Sequence, residues 1–151
     1  ALYCISATAQ RDGMELIAVV LGAPTAQARS ETAAALLDYG FANYALAQVK
    51  PGQALPPVPV LLGRTATVQP VLRSECTLLV EKSRQNQITT QVTLARDVEA
   101  PVEPGQKLGE MAVLVDGTVR ETVPIVAAQG VERLTWAGIF GRLVRELLLA
   151  G

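Results

Sequence analysis

Two apolar runs flank Asp12-Gly13 at the start of the chain. The runs are Tyr3–Ala9 and Leu16–Leu21. Aspartate followed by glycine between such runs is the strongest short-range signal for a β-hairpin, because a type I′ turn needs a positive φ at both central residues. Leu16–Leu21 is apolar without alternation, which is typical of a strand buried on both faces. We therefore expect a hairpin inside a layered domain, and most of that domain to be absent from this sequence.

A helical pattern follows the hairpin. Thr25 is a suitable N-cap, and the residues after it predict a helix over about Ala26–Tyr44. Its apolar stripe is formed by Ala33, Leu36, Leu37, Phe41 and Tyr44. Because these positions share one helical face, the helix is expected to pack on the sheet of the hairpin. The small Gly40 favours a close approach of the helix to a strand.

From Ala45 onward the pattern changes to short strands. Prolines and glycines separate several β-rich runs, and Asp116-Gly117 predicts a second hairpin of the Asp-Gly kind. The runs are Val58–Leu62, Thr65–Leu72, Cys76–Glu81, Ile88–Ala95, Glu110–Val115 and Thr118–Ala127. Regular short strands with turn signals between them predict a small antiparallel β-sandwich.

The last stretch predicts an amphipathic helix from about Thr135 to Leu149. One face carries Trp136, Ile139, Phe140, Leu143, Val144, Leu147 and Leu148, and the opposite face carries Arg142, Arg145 and Glu146. A helix of this length is too short to cross a bilayer. Two interpretations stay open: the apolar face lies in a membrane interface, or it docks on the β-domain of the chain or on a second copy of the chain.

Composition narrows the chemistry. Half of the 151 residues are hydrophobic, 18% are charged and the formal net charge is −1, so the chain is a folded one without the basic stripe of a nucleic-acid-binding protein. There is no histidine, which excludes a Ser-His-Asp triad, a Cys-His dyad and every histidine metal site within this chain. Cys4 and Cys76 lack metal spacing, and two buried thiols are favoured over a disulfide. We expect neither a metal nor a cofactor.

Several segments together resemble one enzyme family. Tyr3–Ala9, Arg11–Met14, Leu16–Ala23, Arg29 and Leu36–Tyr44 resemble the last strands and last helix of serine D-Ala-D-Ala carboxypeptidases, the low-molecular-mass penicillin-binding proteins. Gly105–Gly109, Asp116-Gly117 and Pro124–Ala127 resemble the β-rich C-terminal domain of that family, and the tail resembles its amphipathic membrane anchor.

The resemblance implies an α+β fold that is mainly β. Residues 1–45 are expected to be the terminal hairpin and helix of a penicillin-binding, β-lactamase-like catalytic domain. Residues 46–130 are expected to be the antiparallel β-sandwich, and residues 131–151 the amphipathic membrane-anchor helix.

The three catalytic motifs of the family are missing from this sequence. They are Ser-x-x-Lys, Ser-x-Asn and Lys-Thr-Gly, which supply a nucleophilic serine activated by lysine and a strand that lines the substrate. Lys82-Ser83-Arg84 has a bulky side chain where the family needs glycine. We expect the chain to begin just after the last motif and to hold no catalytic residue. By the same resemblance, Arg29 matches an arginine at the start of the final helix and is the one candidate on the substrate side, where a guanidinium would bind a carboxylate. The alternative is an exposed helix-surface arginine.

The resemblance implies a function for the intact protein. That enzyme would remove the terminal D-alanine from peptidoglycan pentapeptide through a serine acyl-enzyme, and β-lactams would acylate it. This chain would itself be non-catalytic, acting as spacer and membrane foot on the outer face of the bacterial cytoplasmic membrane. Self-association through the hairpin or the last helix is a further expectation. The alternative, from another functional class, is a non-catalytic interaction module of the cell envelope.

Overall fold

The fold is mainly β. The computed structural model describes residues 2–149, apart from the side chains at positions 142, 143, 146, 147 and 149. The strands are β1 (Tyr3–Arg11), β2 (Met14–Ala23), β3 (Tyr44–Val49), β4 (Val58–Leu61), β5 (Thr67–Val68), β6 (Pro70–Leu72), β7 (Cys76–Glu81), β8 (Ile88–Leu94), β9 (Val98–Glu99), β10 (Lys107–Val115) and β11 (Thr118–Ala127). The helices are α1 (Ala26–Asn43), α2 (Trp136–Leu149) and a 3₁₀ helix, Lys82–Gln87.

The chain forms two compact units. Unit 1 consists of Ala1–Val49 and Thr77–Ile88, and unit 2 consists of Lys50–Cys76 and Thr89–Gly151. Thr77–Ile88 thus contacts the first 49 residues, whereas the sequence predicts this segment within the β-sandwich. Such long-range contacts leave no local signal in the sequence. The domain limits themselves stay a prediction.

The predicted first hairpin is present in unit 1. Strands β1 and β2 pair antiparallel around Asp12 and Gly13, whose φ angles are 51° and 79°, as a type I′ turn requires. One face of the hairpin packs against α1 through a small core of Val20, Ala23 and Ala33. This core does not include the side chains on the opposite face of β2, because side chains alternate across a strand.

The second face of the hairpin agrees with the expectation that most of the covering domain is absent from this sequence, and it corrects the expectation for Cys4. Ile17, Val19 and Leu21 on β2 are between 58% and 75% exposed, so within this chain β2 is buried on one face only. Cys4 on β1 is exposed as well, whereas two buried thiols were expected. The continuous apolar pattern of β2 is typical of a strand with both faces buried. Within unit 1, one of these faces packs against α1.

Helix α1 begins and ends with side-chain hydrogen bonds. The hydroxyl of Thr25 accepts the backbone N–H of Ala28 at 3.0 Å, which confirms the predicted N-cap. At the other end, Lys82 Nζ donates to the carbonyl oxygen of Phe41 at 2.8 Å. A cation at this end of a helix also interacts favourably with the helix dipole. A Cβ added to Gly40 would lie 2.5 Å from Leu16 Cδ1, so the small residue does permit a close approach to β2.

Strand β3 continues directly from α1 and was not predicted. It forms a two-stranded sheet with β7. The alternation in Tyr44-Ala-Leu-Ala-Gln-Val is weak, because two of its six residues are alanines that carry little β preference. Partner choice rather than local propensity decides its conformation.

Unit 2 contains a four-stranded sheet in the order β6-β11-β10-β8 and a three-stranded sheet in the order β5-β4-β9. Asp116 and Gly117 join β10 to β11 with positive φ angles, as predicted. One core cluster takes residues from both sheets, among them Val58, Val68, Leu108 and Ala127. The pairs β10–β11, β11–β6 and β4–β5 are antiparallel, as expected, whereas β4 and β9 pair in parallel.

Candidate functional site

Arg29 lies in the first turns of α1 and reaches across to β1. Its Nη1 donates to the carbonyl oxygen of Cys4 at 3.3 Å, and its guanidinium carbon lies 5.8 Å from the centroid of the Tyr3 ring. Its Nε is buried and has no hydrogen-bond partner among residues 2–149. The side chain is therefore held by the start of β1, and its buried Nε is left without a hydrogen bond among the described residues.

The contacts of Arg29 with the Tyr3 ring and the carbonyl of Cys4 were not predicted from the sequence. Tyr3 and Cys4 lie about 25 residues before Arg29, and no spacing rule joins a strand residue to a helix residue over that distance. One signal for this contact was present in the sequence: an aromatic residue at the start of a predicted strand and an arginine in the next predicted helix. Arginine stacks favourably on aromatic rings.

The apolar side chains of α2 form a second candidate site. Trp136, Phe140, Val144 and Leu148 follow one another at intervals of four residues, and Trp136, Phe140 and Leu148 are between 72% and 88% exposed. Ile139 is half-buried. The other two residues of the expected face, Leu143 and Leu147, have side chains outside the described residues. A contiguous row of exposed apolar side chains on one helix is typical of a surface that binds a protein or a membrane.

Unit 2 also carries a groove of about 580 Å³. The segment Gly52–Pro56 forms one wall, and Thr90, Val92 and Leu94 of β8 form the other. The backbone N–H of Gly52 donates to Thr90 Oγ1 at 3.2 Å, which joins the two walls at one end. Strand β8 lies at the edge of its sheet, so the groove runs along an edge strand.

Other chemistry is sparse in the described part of the chain. Residues 2–149 contain no group of three or more His, Cys, Asp or Glu residues that could hold a metal ion. Lys82-Ser83-Arg84 lies on the 3₁₀ helix, whereas a Lys-Thr-Gly motif requires a strand. Burial, and secondarily the charge of Glu121, raises the pKa of the Cys76 thiol, so this sulfur is a poor nucleophile.

Membrane insertion by a spanning helix is not available to the described residues. None of their helices is both long enough and apolar enough to cross a bilayer.

The comparisons with known proteins agree with the family recognised in the sequence. The chain is 27% identical over 135 residues to the D-alanyl-D-alanine carboxypeptidase DacF of Bacillus subtilis, which covers 88% of this chain and 35% of that protein. It is 26% identical to DacA of Haemophilus influenzae, over 96% of this chain and 37% of that protein. The chain thus spans about a third of the length of the curated relatives that it matches.

Solved structures give the same result. Penicillin-binding protein 5 of Haemophilus influenzae matches 87% of this chain and 39% of its own, with a TM-score of 0.66 and 25% identity. The carboxypeptidase DacD of Francisella tularensis shares the fold with a TM-score of 0.53 at 23% identity, over 87% of this chain and 33% of its own. Residues 47–133, more than half of the sequence, match the family model of the penicillin-binding protein 5 C-terminal domain. The chain therefore belongs to this family and carries the C-terminal domain of a D-Ala-D-Ala carboxypeptidase-like penicillin-binding protein.

Proposed function

We propose that this chain is the C-terminal region of a D-alanyl-D-alanine carboxypeptidase, which removes the terminal D-alanine from peptidoglycan pentapeptide through a serine acyl-enzyme that β-lactams also form. Strands β1 and β2 and helix α1 supply the last strands and last helix of the catalytic scaffold, the β-strands of residues 46–130 act as a spacer, and α2 is the membrane foot. The observation that carries this proposal is the extent of the match. Relatives with that activity in their names match 88% and 96% of this chain, across both units.

The exposed face of unit 1 supports the view that more of a catalytic domain covers it. Ile17 and Val19 continue into a hollow of about 370 Å³ that is also lined by Leu36, Tyr44 and Leu79. Monomeric soluble proteins rarely leave contiguous apolar patches of this kind open. The remainder of a catalytic domain is the occupant that we propose, and self-association of the hairpin is the alternative.

The proposal is tested on the protein in its own cells. An antiserum raised against this chain and a fluorescent penicillin are applied to the same electrophoretic separation. We expect both to mark one species larger than the chain itself. If the antiserum marks only a species of this chain's own size that takes up no penicillin, the enzyme is the wrong assignment. That outcome favours a non-catalytic envelope module, whose binding site would be the groove along β8.

Arg29 is proposed to act on the substrate side of the intact enzyme. Its contacts with Cys4 and Tyr3 hold the guanidinium beside the first turns of α1, and a planar fork held in this way is suited to a peptide carboxylate. In the longer enzyme, we expect Arg29→Gln to raise KM for a D-Ala-D-Ala peptide about tenfold or more, consistent with one lost charge-assisted hydrogen bond. The control is Arg11→Gln, because Arg11 stacks on Phe41 instead. Equal KM values for both variants would contradict the substrate-side role and would favour an exposed helix-surface arginine.

Helix α2 is proposed to lie flat in the membrane interface, on the outer face of the cytoplasmic membrane. Its 14 residues span about 21 Å, well short of a hydrocarbon core of about 30 Å. Burying the seven residues of its apolar face at about 1.5–3 kcal/mol each gives a gross gain on the order of 10 kcal/mol, of which ordering removes a part. Trp136 suits the headgroup region, and the arginines favour anionic lipid.

Co-sedimentation with anionic vesicles tests the membrane foot. We expect a Phe140→Ser/Leu148→Ser variant to bind far more weakly than the unchanged chain, because it loses two exposed anchors of the helix. Val119→Ser, which removes an exposed apolar side chain from β11, is the matched control. If the helix variant binds as strongly as the control, the apolar face serves another surface, namely the β-sheets of the chain or a second copy.

A further inference from the structure

Two exposed leucines lie at the end of β4 and in the turn that follows it. Leu61 is 52% exposed and Leu62 is 50% exposed. Leu62 also has a φ of 57°, in the left-handed region that glycine and asparagine occupy most readily. A turn usually relieves this conformation with Gly, Asn or Asp, and it usually presents polar side chains to water. The chain therefore places two exposed leucines, one of them with a strained backbone, at a position where ordinary turn chemistry would avoid both features.

This turn is attached to the start of α2. The carbonyl oxygen of Leu62 accepts the backbone N–H of Leu134 at 2.8 Å, and the N–H of Arg64 donates to the carbonyl of Glu132 at 2.8 Å. Gly63 and Arg133 form an antiparallel bridge between these two hydrogen bonds. Helix α2 begins at Trp136, and two residues of chain span at most about 7 Å. The leucine turn thus stays close to the first turn of the helix.

The charges around the turn are paired. Arg64 lies 2.6 Å from Glu132, and Arg133 lies 3.3 Å from Glu99. Glu99 is also the residue opposite Leu61 in the β4–β9 pair. Because each arginine is matched by a carboxylate, the turn offers neither an acidic nor a basic partner a net charge. What it offers is apolar surface.

We propose that Leu61 and Leu62 form a second membrane contact, which inserts between lipid headgroups beside the first turn of α2. The inference rests on the proposed function, because it requires that α2 lies in the interface. A helix whose apolar face is buried about 5–10 Å into the headgroup boundary brings a turn tied to its start down to the same surface. Two contacts, one from a helix and one from a β-turn, would fix the tilt of unit 2 on the bilayer, which a single helix leaves free.

The test uses the full chain and vesicles of phosphatidylcholine with and without phosphatidylglycerol. In the variant Leu61→Ser/Leu62→Asn, asparagine accepts the left-handed φ, so we expect the thermal midpoint to be retained or raised. We expect its vesicle partition coefficient to fall about tenfold, because two apolar side chains no longer enter the interface. The Val119→Ser control should change it by less than about twofold. Because the arginines of the turn are paired, the tenfold loss should be the same with either lipid mixture.

The helix variant and the turn variant together distinguish a failure of the helix proposal from a failure of the turn proposal. If Phe140→Ser/Leu148→Ser binds like the unchanged chain, the proposed membrane foot fails. If that variant loses binding while Leu61→Ser/Leu62→Asn retains it, only the turn inference is overturned. A turn variant that loses self-association in sedimentation velocity without lipid, and binds vesicles normally, also overturns it in favour of a second copy.

A second readout does not depend on the folding of the double variant. Leu62→Trp, made in a Trp136→Phe background, reports the depth of the turn directly. We expect its fluorescence to shift to the blue and to be quenched by brominated lipid chains. An indole that stays at the emission of water-exposed tryptophan in the presence of saturating vesicles contradicts the proposal.

Discussion

The two Asp-Gly hairpins of this protein have the same turn and different surroundings. Asp12 and Gly13 in unit 1, and Asp116 and Gly117 in unit 2, have φ angles within about 10° of each other at matching positions. In the second hairpin, Met111, Val113 and Ile125 are 0% exposed. In the first, Ile17, Val19 and Leu21 remain open to water. A shared turn signal therefore says that two strands pair, and says nothing about what covers them.

The difference explains why the two units suit different roles. Strands β10 and β11 are central in a four-stranded sheet whose core lies within unit 2, so that unit has the contacts of a self-sufficient domain. Strands β1 and β2 form a two-stranded sheet covered by one helix, and a hairpin of two strands is marginal without further packing. This contrast supports the proposal that the first hairpin belongs to a larger scaffold.

Truncating one isoleucine in each hairpin should give the largest contrast. Ile125→Ala removes a fully buried side chain, and we expect unit 2 to lose about 2–5 kcal/mol of unfolding free energy through lost burial and the cavity left behind. Ile17→Ala, the same substitution at an exposed position, should change stability by less than about 0.5 kcal/mol. Urea unfolding followed by far-UV circular dichroism measures both. Equal losses would mean that the first hairpin has a cover that its exposed face does not reveal.

Adding one methyl group at two glycines should give the next largest contrast. A Cβ at Gly109 in β10 would collide with the backbone carbonyl of Thr93 and lie 2.9 Å from Leu94 Cα, so Gly109→Ala should cost about 1–3 kcal/mol. A Cβ at Gly40 meets only the end of the Leu16 side chain, which can rotate, and alanine gains about 1 kcal/mol in helix propensity. Gly40→Ala should therefore be nearly neutral. Thermal unfolding compares the two, and a Gly40→Ala loss as large as that of Gly109→Ala would contradict this account.

The turns themselves should respond alike. Gly13 and Gly117 have positive φ angles and open space where a Cβ would point, so alanine at either position is strained but not crowded. We expect Gly13→Ala and Gly117→Ala each to raise amide exchange in its own hairpin by an amount that corresponds to about 1–2 kcal/mol. If the substitution raised amide exchange in only one of the two hairpins, the two turns would differ in backbone strain despite their similar φ angles.

The smallest predicted effect concerns pH and Cys76 in unit 2. Because burial raises the thiol pKa above its ordinary value of 9.0, the folded state holds this proton more tightly than the unfolded state. The associated stability is complete below the ordinary thiol pKa and is lost as pH rises through the raised value. Unfolding free energy should fall above pH 9 in the unchanged chain, and less steeply in Cys76→Ala. Parallel pH profiles for the two proteins would exclude this contribution.

The local features of the fold were readable from the sequence. The cap at Thr25, both Asp-Gly turns and most strands of unit 2 follow from rules that act over a few residues. What escaped prediction depends on partners that are distant in sequence. Strand β3 is a strand because β7 lies beside it, and β4 and β9 are parallel because of a crossover that no local pattern records.

The candidate sites divide in the same way. The face of α2 was visible as apolar residues at helical spacing, and Arg29 was singled out by the family resemblance. The stacking of Arg29 on Tyr3 and the left-handed conformation of Leu62 were not visible, because each depends on backbone geometry that distant segments determine.

Amide hydrogen exchange in the monomeric chain tests the contrast between the hairpins most directly. Sedimentation velocity first establishes that the sample is monomeric, and exchange is then followed in both hairpins at once. We predict that the paired amides of β10 and β11 exchange only when unit 2 unfolds, while those of β1 and β2 exchange at least tenfold faster through local opening. Equal protection of the two hairpins in the monomer would contradict the claim that the first one awaits the cover of a larger domain.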